Sequence, residues 1–150
     1  MYQQNLLHFD QLSREQLYAV LRLRSDVFVL EQKSLYQDID GLDERAWHIL
    51  VQDENDVLVG VLRILKDPKD GSCYSIGRVA ISKAGRGQGL AKELMDRAHA
   101  FIAKQEGAER IELSAQVYLT NFYKSFGYVL ISDQPYDDAG VMHVDMIRAV

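Results

Sequence analysis

Tyr74 to Lys104 reads Y-S-I-G-R-V-A-I-S-K-A-G-R-G-Q-G-L-A-K-E-L-M-D-R-A-H-A-F-I-A-K, and this stretch decides the fold. Its first part, Ser75 to Ile81, is short, β-branched and apolar, the composition of a strand. Its last part carries Leu90, Leu94, Ala98, Phe101 and Ile102 at spacings of three and four. Those residues share one face of a helix, which should run to about Glu106 and stop at Gly107. Between strand and helix stand Arg86 to Ala91, R-G-Q-G-L-A. A glycine-rich turn at this place points bare backbone N–H groups outward at the positive end of the helix dipole, which makes an anion site. Gly87 and Gly89 lack a Cβ, so a phosphate can come close, and Arg86 adds a charged fork suited to phosphate oxygens. The same six residues also read as an ordinary tight turn with Arg86 in solvent. The rest of the chain has to choose.

Working outward, Leu6 to Phe9 reads as a first short strand. Ser13 with Gln16 is a capping box, opening a helix that carries Leu17, Val20, Leu21 and Phe28 on one stripe to about Leu30. Glu31 to Arg45 has no apolar period and holds Asp38, Asp40, Asp43 and Glu44 around Gly41, which reads as a long acidic loop. Trp47 to Gln52 and Val57 to Leu65 form a hairpin across the turn residues Asp53 to Asp56. Arg110 to Gln116 alternates, with Ile111, Leu113 and Ala115 on one face and Glu112, Ser114 and Gln116 on the other. Leu119 to Phe126 is a short helix closed by Gly127. Tyr128 to Ser132 and Val141 to Ile147 read as a last hairpin, joined by the polar segment Asp133 to Gly140. The order is β, α, loop, β, β, β, α, β, α, β, β, a mixed α/β sheet with hairpins at both ends and one right-handed crossover. No repeat or linker marks a boundary, so residues 1–150 are expected to form a single domain.

Composition narrows the function. A net charge of −5 with no basic tract argues against nucleic acid as a partner. No apolar run reaches the length of a membrane span, and Met1 to Asp10 lacks the pattern of a signal peptide, so a cytoplasmic location is expected. Cys73 is the only cysteine, which excludes an intrachain disulfide and reads best as a small packing residue. His8, His48, His99 and His143 are scattered without ligand spacing, so no metal site is expected. A dinucleotide loop fails because Lys92 stands where a third glycine should follow Gly87 and Gly89, and no Gly-Lys-Ser/Thr is present for a kinase-type loop.

A strand, then R-x-x-G-x-A (Arg86 to Ala91), a helix, a strand, and a short helix ending in F-Y-x-x-F-G-Y (Phe122 to Tyr128) resembles the GNAT superfamily of acyl-CoA-dependent N-acetyltransferases. V-F-V-L-E-Q (Val27 to Gln32), Y-Q-D-I-D-G-L-D (Tyr36 to Asp43), H-I-L at His48 and Q-V-Y-L-T-N-F-Y at Gln116 make it similar to the ElaA-like branch. Ser34-Leu35 stands where that branch usually has Cys-Pro, and Tyr118 where it usually has His. The resemblance implies a mostly antiparallel sheet of about six to seven strands flanked by about four helices. It implies acetyl-CoA as acyl-donor cosubstrate. The backbone of Val79, Ala80 and Ile81 would pair with the pantetheine arm. Arg86, Gly87, Gln88, Gly89, Leu90, Ala91 and Lys92 would hold the pyrophosphate, and Tyr123 would stand at the thioester sulfur as general acid. The other substrate would be an amine on a small molecule or peptide. Homodimerisation stays open.

The residues themselves support that chemistry. Acyl transfer to an amine needs a neutral nitrogen, a stabilised oxyanion and a proton for the departing thiolate. A thiol titrates near ~8.5 and a tyrosine near ~10, so a neutral Tyr123 can donate to the sulfur. Its alternative role is as a core aromatic beside Phe122 and Phe126. Gln116 and Asn121 are amides that could bond the pantetheine amides, or merely local backbone. For the base, Glu112, His48 and His143 all stand as candidates. The acidic loop, with Asp38 and Asp40 and with Glu31 and His143 nearby in the cleft, is expected to draw in a cationic acceptor. A non-catalytic acyl-CoA sensor on the same fold is the competing reading.

Overall fold

The computed structural model describes residues 1–150. Eight strands form one sheet: β1 (Gln3–His8), β2 (Trp47–Gln52), β3 (Leu58–Lys66), β4 (Cys73–Ile81), β5 (Arg110–Gln116), β6 (Val129–Leu130), β7 (Tyr136–Asp138) and β8 (Val141–Ala149). The order is β1-β2-β3-β4-β5-β8-β6, with β7 also paired to β8. Every pair is antiparallel except β4 with β5. Three α-helices accompany the sheet: α1 (Arg14–Arg24), α2 (Leu90–Ala103) and α3 (Thr120–Lys124). The fold class matches the expectation. The strand count is one higher, because the segment expected to be polar connection contains β7. The helix count is one lower.

Two elements end earlier than their patterns suggest. The helix capped by Ser13 keeps its reciprocal bonds with Gln16, but its α-form stops at Arg24 and continues as a π-helix over Ser25–Glu31. That wider winding leaves Arg24, Val27 and Phe28 all facing inward. Helix α2 stops at Ala103, a turn before Gly107, which itself adopts a left-handed φ of 78°. The first strand, Gln3–His8, begins three residues before the expected Leu6, held along its whole length by β2.

The helices cover opposite faces of the sheet. Leu90, Leu94, Met95, Ala98 and Ile102 of α2 pack on Ile49, Val51, Leu62, Ile64, Ile111 and Leu113. Val20, Leu23, Val27 and Phe28 pack on Leu50, Val61 and Ala80 from the other side. Each such large side chain stabilises the fold by about 1.5–3 kcal/mol on burial. Alternation along β5 sends Ile111, Leu113 and Ala115 toward α2, leaving Glu112, Ser114 and Gln116 on the opposite face, beyond the part of the sheet that α1 covers.

One irregularity positions the site. The parallel pairing of β4 with β5 lasts only from Cys73↔Arg110 to Ser75↔Glu112. Beyond Ser75 the two strands part, and that side of β4 has no strand partner. A bulge between Val61 and Arg63 inserts an extra residue in β4, and Arg78 takes a φ of 51° there. The result is a wedge opening through the middle of the sheet.

Candidate active site

A cavity of about 360 Å³ fills the wedge. Ile76, Gly77, Arg78 and Val79 of β4 form one wall, and Ser114 and Gln116 of β5 form the facing one. Phe28, Gln32, Ser34 and Tyr36 close it from the π-helix and the loop after it. Tyr118 and Leu119 close it from the 3-10 turn before α3, Tyr123 from α3, and Asp138, Ala139 and His143 from the β7–β8 hairpin.

At the α2 end of β4, the turn reads as an anion seat. Gly87 and Gly89 take φ values of 77° and 75°, and a Cβ at either would meet no protein atom within 4 Å. The backbone N–H groups of Gly87, Gln88, Gly89, Leu90, Ala91 and Lys92 donate to no protein carbonyl. Leu90 offers only its backbone, since its side chain is core, and Lys92 is exposed and paired with Asp96 at 2.7 Å. The Arg86 side chain turns back on the protein. Its Nε and one terminal nitrogen donate to the Ile81 carbonyl at 3.2 and 3.0 Å, and it pairs with Glu31. Arg86 is therefore a clamp on the turn rather than a free fork, and Glu31 serves that clamp rather than the cavity.

Tyr123 lines the cavity and is buried. Burial, with Tyr118 adding to it, pushes its phenol up to about 12. The three candidate bases separate. Glu112 stands outside the cavity on the far part of β5, with Arg110 Nε 3.7 Å away. His48 is buried away from the cavity, and its Nε2 lies 3.0 Å from the Asp43 carbonyl. Burial lowers its pKa. Both are corrections to the expected placement. Strand alternation put Glu112 on the right face but too far along it, and put His48 under α1, where the sheet is covered. His143 does line the cavity. Its Nδ1 is 2.8 Å from the Val141 carbonyl. A carbonyl only accepts, so Nδ1–H donates to it, and Nε2 is the ring nitrogen that offers a lone pair when the ring is neutral. Tyr136 stacks on the ring at 6.1 Å and is itself held by Asp145 at 2.6 Å and Ser114 at 2.5 Å.

Gln116 lines the wall, donating from Nε2 to Gln32 at 3.2 Å, while its Oε1 is buried without a partner. Asn121 is exposed on α3 and does not reach the cavity. Val79 lines the cavity; Ala80 and Ile81 pack into the core beside it, so only their backbone could take part.

The acidic loop is the largest correction. Three of its four carboxylates, Asp38, Asp40 and Asp43, are spent on three arginines, while Glu44 is exposed without an ion pair. Arg24 bonds Asp43 at 2.7 Å and Asp38 at 3.0 Å. Arg63 bonds Asp40 at 2.9 Å and Asp43 at 3.0 Å. Arg78 meets Asp40 at 3.2 Å, and its Nε stands 2.8 Å from Asp38 without its N–H pointing there. Three arginines match three aspartates, so Asp38 and Asp40 present no free negative field. The arginines come from α1, β3 and β4, far apart in the chain, so no local pattern reveals the pairing. The sequence reading also missed Asp138, which lines the cavity from a three-residue strand within a polar run.

A wedge between parallel strands, a glycine turn with unengaged N–H groups opening a helix at one end and a buried tyrosine beside the gap define an acyl-CoA N-acyltransferase architecture. The chain belongs to the GNAT family of N-acetyltransferases: the profile described as "Acetyltransferase (GNAT) domain" matches residues 10–150. It is 42% identical to protein ElaA of Escherichia coli (strain K12) over 146 residues, 96% of this chain and 94% of that one. The crystal structure of Escherichia coli ElaA superposes with a TM-score of 0.91 at 41% identity, covering 99% of both chains. An acyl-CoA N-acyltransferase from Pseudomonas aeruginosa gives a TM-score of 0.91 at 35% identity, covering 99% of this chain and all of that one. Ser34 and Tyr118, where the chain departs from the usual ElaA-like residues, both line the cavity.

Proposed function

We propose that this enzyme transfers an acetyl group from acetyl-CoA to an amine of a small cationic acceptor by direct attack, with both substrates held in the wedge. The single observation that carries the reading is the continuous run from the free N–H groups at Gly87–Lys92, along the unpaired side of β4, to the cavity that holds Tyr123 and His143. The residues present fit the donor. Six unengaged N–H groups suit a pyrophosphate. The open side of β4 suits an extended arm with amide groups. The unpaired Gln116 Oε1 suits a ligand N–H, since a buried acceptor left unmade costs about 1–3 kcal/mol.

Acetyl-CoA supplies an acyl group activated as a thioester. Backbone N–H groups of β4 around Val79 polarise its carbonyl oxygen. His143 Nε2 accepts the proton that the attacking amine must lose. Tyr123 donates its hydroxyl proton toward the sulfur as the C–S bond gives way to the new C–N bond. A phenol near 12 is a weak acid beside an ordinary thiol at ~8.5, but the same dry wall raises any thiolate pressed against it, which narrows the gap. No helix is long and apolar enough to cross a membrane. We place the reaction in the cytoplasm, where acetyl-CoA is made available.

The test is thermal melting with acetyl-CoA and with NADH, followed by an assay of free thiol release with a panel of amines. Acetyl-CoA should raise Tm by mass action and NADH should not. Thiol release that depends on the amine supports the enzyme. Binding without turnover for any amine would make the protein an acyl-CoA sensor.

A further inference from the structure

We infer that Asp138 is the cation seat of the acceptor site, and that the acceptor carries a second cationic group besides the reacting amine. The inference rests on the reading above and names its substrate class. Among the residues lining the cavity, Arg78 is the one arginine or lysine and Asp138 the one carboxylate. Arg78 is neutralised by Asp38 and Asp40, within a network whose three arginines and three aspartates cancel. No arginine, lysine or histidine stands in ion-pair range of Asp138. It is therefore the one uncompensated charge on the wall, and a carboxylate selects a cation.

Its backbone is fixed for the purpose. Asp138 pairs with Val141 across a two-residue turn in which Ala139 and Gly140 take φ values of 52° and 85°, and Gly140 N–H donates to Asp137 Oδ1 at 2.8 Å. The same ladder pairs Tyr136 with His143, and alternation puts Tyr136, Asp138 and His143 on one face. Depth then separates the roles. Tyr123 is buried, while Asp138 is exposed at the mouth. An ammonium at the exposed Asp138 carboxylate and an amine at the buried Tyr123 hydroxyl occupy different depths of the cavity. An acceptor with two nitrogens joined by a spacer reaches both, and Tyr36, Tyr118 and Leu119 offer apolar wall to an aliphatic one.

The probes are 1,4-diaminobutane and butylamine with acetyl-CoA, assayed by thiol release on the wild type, Asp138→Asn and Asp138→Glu. The wild type should prefer the diamine, with a KM that rises with salt. Asp138→Asn should raise the diamine KM at least tenfold with kcat within about threefold, abolish the salt effect, raise the butylamine KM far less, and leave the acetyl-CoA melting shift unchanged. Asp138→Glu should recover part of the loss. An equal effect on both amines, or no preference for the diamine in the wild type, overturns the proposal. So does the absence of turnover with either amine while acetyl-CoA still raises Tm. Loss of the acetyl-CoA shift in the wild type itself overturns the acyltransferase reading beneath it.

Discussion

Tyr123 and His99 illustrate how burial sets the behaviour of single residues. Tyr123 stays protonated at any ordinary pH because burial holds its phenol near 12. Tyr123→Phe keeps the ring in its contacts with Phe122 and Tyr128 and removes only the hydroxyl. It should lower kcat about a hundredfold or more while acetyl-CoA affinity by calorimetry stays within twofold. Equal kcat in the two proteins would return Tyr123 to a packing role. His99 is perturbed in a different part of the molecule. Burial, helped by the Arg148 charge, lowers its pKa to about 4, and its Nε2 lies 2.8 Å from the Tyr128 hydroxyl. The unfolded chain takes up this proton near ~6.5 and the folded chain only near 4. Stability from this group is thus intact above ~6.5, falls as pH drops through that window, and levels off below 4. His99→Gln, which retains a partner for Tyr128, should flatten Tm against pH in that interval.

At the scale of an element, the turn before α2 joins two requirements. It must begin a helix without a side-chain cap, and it must leave its N–H groups unengaged. Glycines with positive φ satisfy both. Gly89→Val meets no protein atom at its Cβ, so its cost to the fold is the left-handed backbone, about 1–2 kcal/mol. Its cost to binding is larger, because the new side chain occupies the space in front of the N–H groups. Acetyl-CoA affinity should fall at least tenfold in a variant still folded by circular dichroism. An unchanged Kd would place the phosphates elsewhere. The π-helix Ser25–Glu31 has a matching part: Glu31 at its end grips Arg86, so this element and the turn hold each other.

Over the whole molecule, the network of Arg24, Arg63, Arg78, Asp38, Asp40 and Asp43 fastens the loop after the π-helix across the sheet beside the wedge. Arg24 and Asp43 are buried, so breaking one partner strands a charge. Asp43→Asn should cost about 3–5 kcal/mol, read from urea midpoints at unchanged m-value. The network also predicts an acid response. Burial alone would raise Asp40, but bonds from Arg63 and the Leu42 N–H and the charges of Arg63 and Arg78 outweigh it and hold its pKa at about 2. Because the folded value lies below the unfolded ~3.9, its contribution is complete above about pH 4 and drains away toward pH 2. Acid unfolding should be steep across that range in the wild type and shallower in Asp40→Asn.

The local signals were legible in the chain because they depend on near neighbours. Periodicity marked α2, turn chemistry marked the β2–β3 hairpin, the capping box marked α1, and two glycines with their flanking strand and helix marked the turn before α2. The role proposed for Tyr123 rests on the company of that turn, since a buried aromatic looks the same in a core. What folding alone decided were the long-range relations. The parting of β4 from β5 after Ser75 depends on a bulge and on which strands pair, and no short window contains either. It separated His143, at the cavity, from Glu112 and His48, which alternation could not rank. The acidic loop inverted its meaning for the same reason. A run of aspartates reads as an exposed field until α1, β3 and β4 bring three arginines to it. Charge is a property of the sequence, but the field it makes is a property of where the opposite charges end up.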